Sequence, residues 1–373
     1  MSDWFKCTLG EFVYFQRGHD LPKTQMQMGK FPVAGSNGII GYHNLATTKG
    51  PGITIGRSGN IGTPKFYKDD FWAHNTVLYV KNFNGNHPLF AYYFLKTIDF
   101  IGFNTGSAVP TLNRNHIHEL EINIPTLPEQ KVIASVLSSL DDKIDFLHGQ
   151  NKTLEAMAET LFRQWFIEEA EEDWKDTKVL DLFSLVGGGT PKTSEVNYWG
   201  GDIPWLSGGD IANAHQGFIV SAEKSITNLG LEKSSTKLLP KLASVISARG
   251  TVGKYAMLSK PMTFSQSNYG IVPKGHANYY FVYLLLAYIV DELSAAAYGS
   301  VFDTITTRTF EDVELKLPLM DSIAEFESGI APLFEKKLIN VEQIQTLEKL
   351  RDTLLPKLMS GEVRVEYKKV DAA

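Results

Sequence analysis

The sequence predicts an α+β protein built twice from one plan, in which a mixed α/β module is followed by a long helical segment. A shift of 193 residues aligns the segment Pro125–Phe166 with the segment Pro318–Met359 without a gap, and ten of these 42 positions are identical. Both segments have apolar residues spaced alternately by three and four, which is typical of helices that pair with each other. We therefore expect an internal repeat with pseudo-twofold symmetry, whose two long helices form an antiparallel coiled coil.

Each module is predicted to contain short strands and glycine turns, followed by an apolar helix and a last strand. Residues 50–67 and 242–258 have the pattern of strand, glycine turn and strand. The apolar stretches 87–100 and 278–293 are predicted helices. Residues 119–125 and 312–318 alternate in the manner of edge strands and end in proline.

The repeat continues upstream of the helical segments, at slightly different shifts. The second module is about 22 residues longer, through insertions between Gly189 and Gly250. The matched pairs are Asn75 with Asn268, Gly106-Ser107 with Gly299-Ser300, Gly59–Gly62 with Gly250–Gly253, and Leu9–Gly18 with Leu180–Gly189. The repeat divides the chain into residues 1–125 (module 1), 126–173 (helical segment 1), 174–318 (module 2) and 319–373 (helical segment 2).

The helical segments carry a heptad seam that is mostly apolar. Pro332 favours a break, so we expect a short helix starting near Ser322 and a long helix from about Pro332, with the equivalent start near Ser139 and a stop at Gly361. The polar seam positions are Asn151, Lys337, Asn340 and Arg351. The residues expected to pair the helices or dock a partner are Leu140, Ile144, Leu147, Asn151, Leu154, Leu161, Leu333, Ile344, Leu347 and Leu354.

Composition limits the class of protein. The single cysteine, Cys7, provides no disulfide framework and indicates a reducing compartment. The first residues have no signal-peptide pattern, and the apolar run Tyr279–Val290 is about half of a membrane span, so we expect a cytoplasmic protein in which this run is a buried helix. The net charge is −6, with acid concentrated in residues 126–173, which hold four basic and eleven acidic residues.

The sequence lacks the motifs of several enzyme classes. It has no adjacent prolines, which excludes the loop that amino-methyltransferases use to hold the target amine, and no Gly-Lys-Ser/Thr for an NTPase. Without a Pro-Asp dipeptide, the Glu-x-Lys triplets lack the first acid of a common nuclease core. His116 and His118 have no companion metal ligands in sequence and are interpreted as surface residues. We therefore expect a non-catalytic chain without a metal.

Along its full length the sequence resembles the specificity subunits of type I restriction–modification enzymes. The resemblance depends on LPEQKVIASVLSSLDDKI at the start of helical segment 1 and LLPKLMSGEVRV near the end of the chain. It also depends on AGSNGIIGY and GRSGNIG in module 1, and on GGGTPKT, SARGTVGK and FSQSNYGIVPK in module 2.

The resemblance implies a role in sequence-specific DNA binding and phage defence. Each module would be a target-recognition domain reading one half of a split, asymmetric DNA site, and the paired helices would set the gap and dock two modification (methyltransferase) subunits. Restriction subunits would join this core, and S-adenosylmethionine would be held by the modification subunit, so this chain would carry no cofactor. Because the net charge is negative, phosphate contacts would come partly from the methyltransferases.

The resemblance also implies DNA contacts on the glycine-rich loops, although glycine, serine and asparagine form turns whether or not DNA is near. Arginine, asparagine and glutamine carry the paired donors and acceptors that read base edges. The candidates in module 1 are Ser36, Asn37, Arg57, Ser58, Asn60, His74, Asn75, Thr111, Asn113 and Arg114. The candidates in module 2 are Ser207, Asp210, Arg249, Thr251, Gln266, Asn268, Thr306 and Arg308.

Three other functions are compatible with parts of the pattern. A duplicated coiled-coil scaffold that binds no DNA would show the same helices and repeat. A fused methyltransferase–specificity protein is disfavoured by the missing loops. A specificity-like subunit of a related methylation-based defence system would share every feature, and only neighbouring genes would distinguish it.

Overall fold

The computed structural model describes residues 4–103, 111–298 and 304–366. The chain divides into two compact units. Unit 1 is formed by the chain up to Ile144 together with the chain from Thr346 onward, and unit 2 is Asp145–Gln345. The repeat pair Gly106-Ser107 and Gly299-Ser300 lies outside the described residues.

Unit 1 consists of a mixed α/β module together with one end of each long helix. Its elements are β1 (Phe5–Thr8), α1 (Leu9–Phe12), β2 (Tyr14–Arg17), β3 (Phe31–Gly35), β4 (Gly38–His43), β5 (Gly52–Gly56), β6 (Pro64–Tyr67), β7 (Trp72–Ala73), β8 (Val77–Asn82), α2 (Pro88–Lys96), α3 (Arg114–His118), β9 (Glu121–Ile124) and the first part of α4 (Leu127–Arg163). Among the described residues, the sheets have the strand orders β2-β8-β5-β6, β4-β3-β7 and β1-β9.

Unit 2 repeats this plan with additions. Its elements are β10 (Lys175–Lys178), α5 (Val179–Leu182), β11 (Phe183–Gly187), β12 (Trp199–Leu206), α6 (Gly208–Asn213), β13 (Phe218–Ile219), β14 (Lys224–Ile226), α7 (Asn228–Glu232), β15 (Ser244–Ser247), β16 (Tyr255–Leu258), β17 (Thr263–Phe264), β18 (Asn268–Pro273), α8 (Tyr279–Tyr298), α9 (Thr307–Glu311), β19 (Glu314–Leu317) and α10 (Met320–Ser360). The strand orders, again for the described residues, are β11-β18-β15-β16-β13, β14-β12-β17 and β10-β19.

The predicted elements of the modules are confirmed. The two glycine-turn segments form the antiparallel pairs β5–β6 and β15–β16. The alternating segments form β9 and β19, each paired with one strand at a sheet edge. The insertions of module 2 include α6, β13 and α7.

The apolar run of module 2 forms the core helix α8. Phe281, Leu285 and Leu293 are each no more than 1% exposed and join the core cluster of unit 2. Of the described residues, only the window Tyr279–Ala297 is long and apolar enough to cross a membrane, judged by length and composition alone. The structure buries 61% of that window, as expected for a core helix.

The predicted break near Pro332 is wrong. Helix α10 runs without interruption from Met320, and α4 runs from Leu127 through the expected start near Ser139. Proline in a helix interior costs about 3 kcal/mol. Ile330 and Phe334, which flank Pro332 and are 1% and 2% exposed, pack in the core of unit 2 and offset that cost. Gly361, with φ of 76°, ends the helix as predicted.

Within each unit the two helices run antiparallel, and the polar seam residues make hydrogen bonds or ion pairs from one helix to the other. In unit 2 the Asn340 amide nitrogen donates to Asn151 Oδ1 and Gln150 Oε1, both at 2.8 Å. In unit 1 the Arg351 guanidinium lies 3.0 Å from the Asp141 carboxylate. A polar pair at a seam fixes register because a slipped helix would leave it unpaired in an apolar setting.

The apolar seam is only partly as predicted. Ile144, Leu147 and Ile344 are buried, whereas six predicted seam residues are half-buried: Leu140, Leu154, Leu161, Leu333, Leu347 and Leu354. Near the end of α4 the buried positions become Ala158, Phe162 and Phe166, because this part of the helix packs against α8 and against α10. The strict heptad therefore ends where the globular core begins.

Candidate nucleic-acid interface

A glycine turn with the same geometry is present in both modules. In module 1, Gly59 and Gly62 both have φ of 84°, and the Gly62 N–H donates to Gly56 O at 3.1 Å. In module 2, Gly250 and Gly253 have φ of 79° and 80°, and the Gly253 N–H donates to Ser247 O at 3.0 Å. Positive φ strains other residues, so glycine is required at these positions. The residue that follows the first glycine of each turn is exposed, Asn60 in module 1 and Thr251 in module 2.

In module 1, the turn brings Arg57 beside the segment that precedes β8. The Arg57 N–H donates to Thr76 O at 2.9 Å, and its guanidinium Nε donates to Asn75 O at 3.0 Å. Partial burial lowers the pKa of Arg57, and the nearby Arg17 lowers it further. The guanidinium is thus fixed at the surface by one nitrogen.

Further candidates of module 1 lie around the same segment. The Ser36 N–H donates to Thr76 Oγ1 at 3.2 Å, and His74 Nδ1 lies 3.1 Å from the same hydroxyl. Asn37 is the exposed residue at the tip of the β3–β4 hairpin. Ser58 forms a β-bridge with Thr111. The structure therefore gathers the predicted loops of module 1 into one surface cluster.

The residues that precede the short helices α3 and α9 are N-caps. Asn113 Oδ1 accepts the Asn115 N–H at 3.0 Å. In the other module, the Thr306 N–H donates to Thr309 Oγ1 at 3.1 Å. Each cap satisfies backbone donors at a helix start. The adjacent arginines, Arg114 and the exposed Arg308, lie on the first turns of these helices.

Ser207 and Asp210 also have a structural role. They form a capping box at the start of α6, in which the Ser207 N–H donates to Asp210 Oδ2 at 2.8 Å. The other carboxylate oxygen, Oδ1, accepts the Glu223 N–H at 3.0 Å. Both oxygens of Asp210 are therefore occupied within the chain, which weakens its candidacy for base contact.

The strand register corrects the sequence pairing of Asn75 with Asn268. Gly56 pairs with Val77 in module 1, and its equivalent Ser247 pairs with Asn268 in module 2. Asn268 is therefore equivalent to Val77. It is 1% exposed, and its amide nitrogen donates to Ser265 Oγ at 2.8 Å beneath the surface. Its burial indicates a supporting role in the loop.

The same register makes Gln266 the equivalent of Asn75. The Asn75 amide nitrogen donates to Asp20 Oδ1, and the Thr190 hydroxyl donates to Gln266 Oε1. Gly18 and Gly188 pack on the same backbone position of their modules, against His74 and Ser265, so Gly18 corresponds to Gly188 and the sequence match with Gly189 is wrong by one residue. Asp20 and Thr190, two residues further along, are therefore equivalent. Each module therefore presents an anchored amide beside its glycine turn.

The loop residues at equivalent positions differ between the modules. Module 2 has Ala248 where module 1 has Arg57. The two positions are equivalent because their backbone oxygens accept the N–H groups of Leu112 and Ile305, which are themselves equivalent. The exposed Arg249 occupies the place of Ser58. The modules thus share a scaffold and present different donors and acceptors.

Sequence reasoning missed several residues of the module 1 cluster. Arg17 lies 3.7 Å from Asp20, and both side chains are more than half exposed. Thr76 accepts and positions the loop residues described above. A usable signal was present, since Arg17 and Asp20 flank Gly18, a glycine that the repeat had already identified.

His118 and His116 show no metal-site geometry. His118 Nε2 accepts the Phe15 N–H at 3.0 Å, and burial is the main cause that lowers the pKa of His118, with Arg114 adding to it. His116 is exposed. Among the described residues there is no group of three or more potential metal ligands.

The repeated module and its loop cluster define a two-module recognition protein. The family model of the type I restriction modification DNA specificity domain matches residues 1–156 and 171–349. The chain belongs to this family.

Named relatives agree with this family. The chain is 28% identical over 302 residues to the type I restriction enzyme MjaIX specificity subunit of Methanocaldococcus jannaschii, covering 74% of this chain and 69% of the relative. It is 25% identical over 332 residues to the HindI specificity subunit of Haemophilus influenzae, covering 68% and 71% respectively. The fold is similar to that of a type I S subunit from M. genitalium, with a TM-score of 0.66, 17% identity, and 98% and 97% coverage.

Proposed function

We propose that this chain recognises a bipartite, asymmetric DNA sequence, one half with each module, as the specificity subunit of a type I restriction–modification complex. The observation that carries the proposal is the pair of equivalent loop clusters on one scaffold, with different side chains at the reading positions. A shared scaffold gives both modules the same way of approaching DNA. Different side chains give them different half-sites.

Asn75 and Gln266 are the proposed base-reading amides. A carboxylate only accepts hydrogen bonds, so Asp20 takes one amide N–H of Asn75 and leaves Oδ1 and the second N–H for adenine. In module 2, Thr190 donates to the Gln266 oxygen and leaves the NH₂ group to donate. Because a hydroxyl also accepts, Thr190 permits the reversed amide as well. Module 1 therefore has the more strictly defined hydrogen-bond pattern.

Arg57 is the proposed cationic contact of module 1. Its Nε donates to Asn75 O, which directs the terminal nitrogens away from the loop. A guanidinium in this position can bind guanine through two hydrogen bonds or bind a phosphate. Module 2 has Ala248 at the equivalent position and the exposed Arg249 next to it, so its cationic contact is displaced by one residue.

The remaining parts of the proposal concern the complex. The chain performs no catalysis and holds no cofactor, and S-adenosylmethionine belongs to the modification subunits, two of which dock on the helices. Restriction subunits complete the assembly in the cytoplasm. The net charge of −6 supports this division of labour, because DNA binding depends strongly on neutralising phosphates and this chain has no excess of cations.

The test is to co-express the chain with its modification subunit and to map methylated adenines over the host genome. We expect a motif of about three or four specified bases, a fixed gap and about three to five more, read by modules of this size. A contiguous palindrome would contradict recognition by two different modules. The absence of any mark beside an active methyltransferase would favour the scaffold alternative.

A further inference from the structure

Unit 2 contains an open groove between the end of α4, the start of β10 and the start of α10. It encloses about 930 Å³. Its floor includes the aromatic rings of Trp165 and Phe166, and Ile323 lies beside them. Leu319, at the mouth, is 82% exposed. Phe166 and Ile323 are buried, whereas Met320, which also lines the groove, is 38% exposed. Exposed apolar side chains such as Leu319 and Met320 are costly in water and are typical of a contact surface.

The rim of this groove is acidic. Glu169, Glu171 and Asp173 are exposed and belong to the linker between α4 and β10, and Glu325 and Asp181 face the groove from the other elements. Lys175 is the one basic residue among the described lining residues. An apolar floor with an acidic rim is complementary to a basic amphipathic segment.

Unit 1 shows how the equivalent region is filled. There the Arg364 guanidinium makes two hydrogen bonds of 2.8 Å to the Glu129 carboxylate, whose side chain is 1% exposed. The same guanidinium lies 5.8 Å from the centre of the Trp4 ring. A guanidinium held by a carboxylate and an aromatic ring satisfies both the charge and the apolar surface.

Unit 2 retains the aromatic ring but lacks the internal cation. Trp174 directly precedes β10, as Trp4 directly precedes β1. At the shift of 193 residues, Arg364 corresponds to Glu171, and Glu129 corresponds to Ser322. The position of the cation is therefore taken by an acid, and the groove has no guanidinium of its own among its described lining residues.

We propose that this groove docks an arginine-bearing, basic segment of the modification subunit, with its guanidinium beside Trp174 and the acidic linker. The proposal rests on the proposed function, which supplies that partner. A second copy of this chain fits less well, because its Arg364 is already bound to Glu129 within unit 1. The acidic rim likewise repels another chain with a net charge of −6.

The decisive variant fills the groove from within. Glu171→Arg combined with Ser322→Glu reproduces in unit 2 the pair that Arg364 and Glu129 form in unit 1. A control with the same chemical changes at exposed positions outside the groove is Glu195→Arg with Ser194→Glu. Circular dichroism and thermal unfolding verify the folding of each full-length chain.

The readout is calorimetric titration with the purified modification subunit. We expect the filled-groove variant to raise Kd about tenfold or more, and the control to stay within about twofold of the parent chain. Unchanged affinity of the filled-groove variant overturns the proposal. If that variant does not fold, Glu171→Lys with Asp173→Lys, both exposed, replaces it with the same expectation.

Two further results separate this proposal from the function on which it rests. If the parent chain itself does not bind the modification subunit, the proposed function fails and the docking proposal fails with it. If the chain alone forms a dimer by light scattering and the filled-groove variant is monomeric, the occupant is a second copy and the proposed partner is wrong.

Discussion

Replacing Lys337 by methionine tests a buried ion pair between the two long helices. The Lys337 ammonium is bound to the Glu155 carboxylate and donates to Gln216 O at 2.6 Å. The Tyr283 hydroxyl donates to the other Glu155 oxygen at 2.7 Å. The side chains of Lys337 and Glu155 are 6% and 11% exposed, so solvent screens this pair weakly.

The expected magnitude follows from leaving one charge without its partner. Removing one member of a buried ion pair costs about 3–5 kcal/mol, because the remaining charge is uncompensated. For a unit of this size, each kcal/mol lowers Tm by about 2–4 °C, so Lys337→Met should lower Tm of unit 2 by about 10 °C. The double variant Lys337→Met with Glu155→Gln removes both charges and keeps an acceptor for Tyr283. It should recover most of that loss, to within about 1–2 kcal/mol of the parent chain.

The measurement is calorimetric and urea unfolding of the full chain, the two single variants and the double variant. Lys336→Met, at an exposed neighbouring position on the same helix, is the control and should change stability by no more than about 0.5 kcal/mol. If Lys337→Met is as stable as the parent and the cycle shows no coupling, the buried pair contributes nothing and the reasoning is refuted.

Three other predictions concern the proposed base-reading residues, the length of the helices and the titration of His118. Arg57→Ala should weaken discrimination of the first half-site alone by about 1–3 kcal/mol, and Gln266→Ala that of the second alone, as measured by methylation of variant sites. A change in both half-sites from one substitution would contradict separate readers. Inserting four residues after Ile144 and four after Gln345 should widen the gap in the methylation motif and leave both half-sites intact; altered half-sites would exclude a spacer role. Because the folded-state pKa of His118 is lowered, its contribution to stability is present above pH 6.5 and is lost as pH falls. The urea midpoint should therefore drop less between pH 7.5 and 5.5 in His118→Gln, and an equal drop would contradict this role.

The sequence by itself determined the duplication, the strand and helix pattern of both modules, and the polar seam positions. Local residue preferences or the spacing of apolar residues are sufficient to predict these features. The glycines at 59 and 62 match those at 250 and 253 in the sequence because a positive φ strongly favours glycine at these positions. Asn151 and Asn340 are polar residues at positions of the heptad seam that are otherwise apolar, and in the structure they are hydrogen-bonded to each other.

Only the tertiary structure decided which residues share a place in the two modules. The shift of 193 residues that aligns the helical segments also aligns Asn75 with Asn268, and both are asparagines. The pairing of β15 with β18 shows instead that the shift here is two residues smaller, so Gln266 is the counterpart of Asn75. Gln266 lies before β18, which begins at Asn268, so the alternation of side chains along a strand does not apply to it and no local pattern distinguishes the exposed amide from the buried one. Likewise, Pro332 predicted a break that packing of Ile330 and Phe334 prevents. Long-range pairing and burial decided these points because their energies exceed the local preferences that the sequence displays.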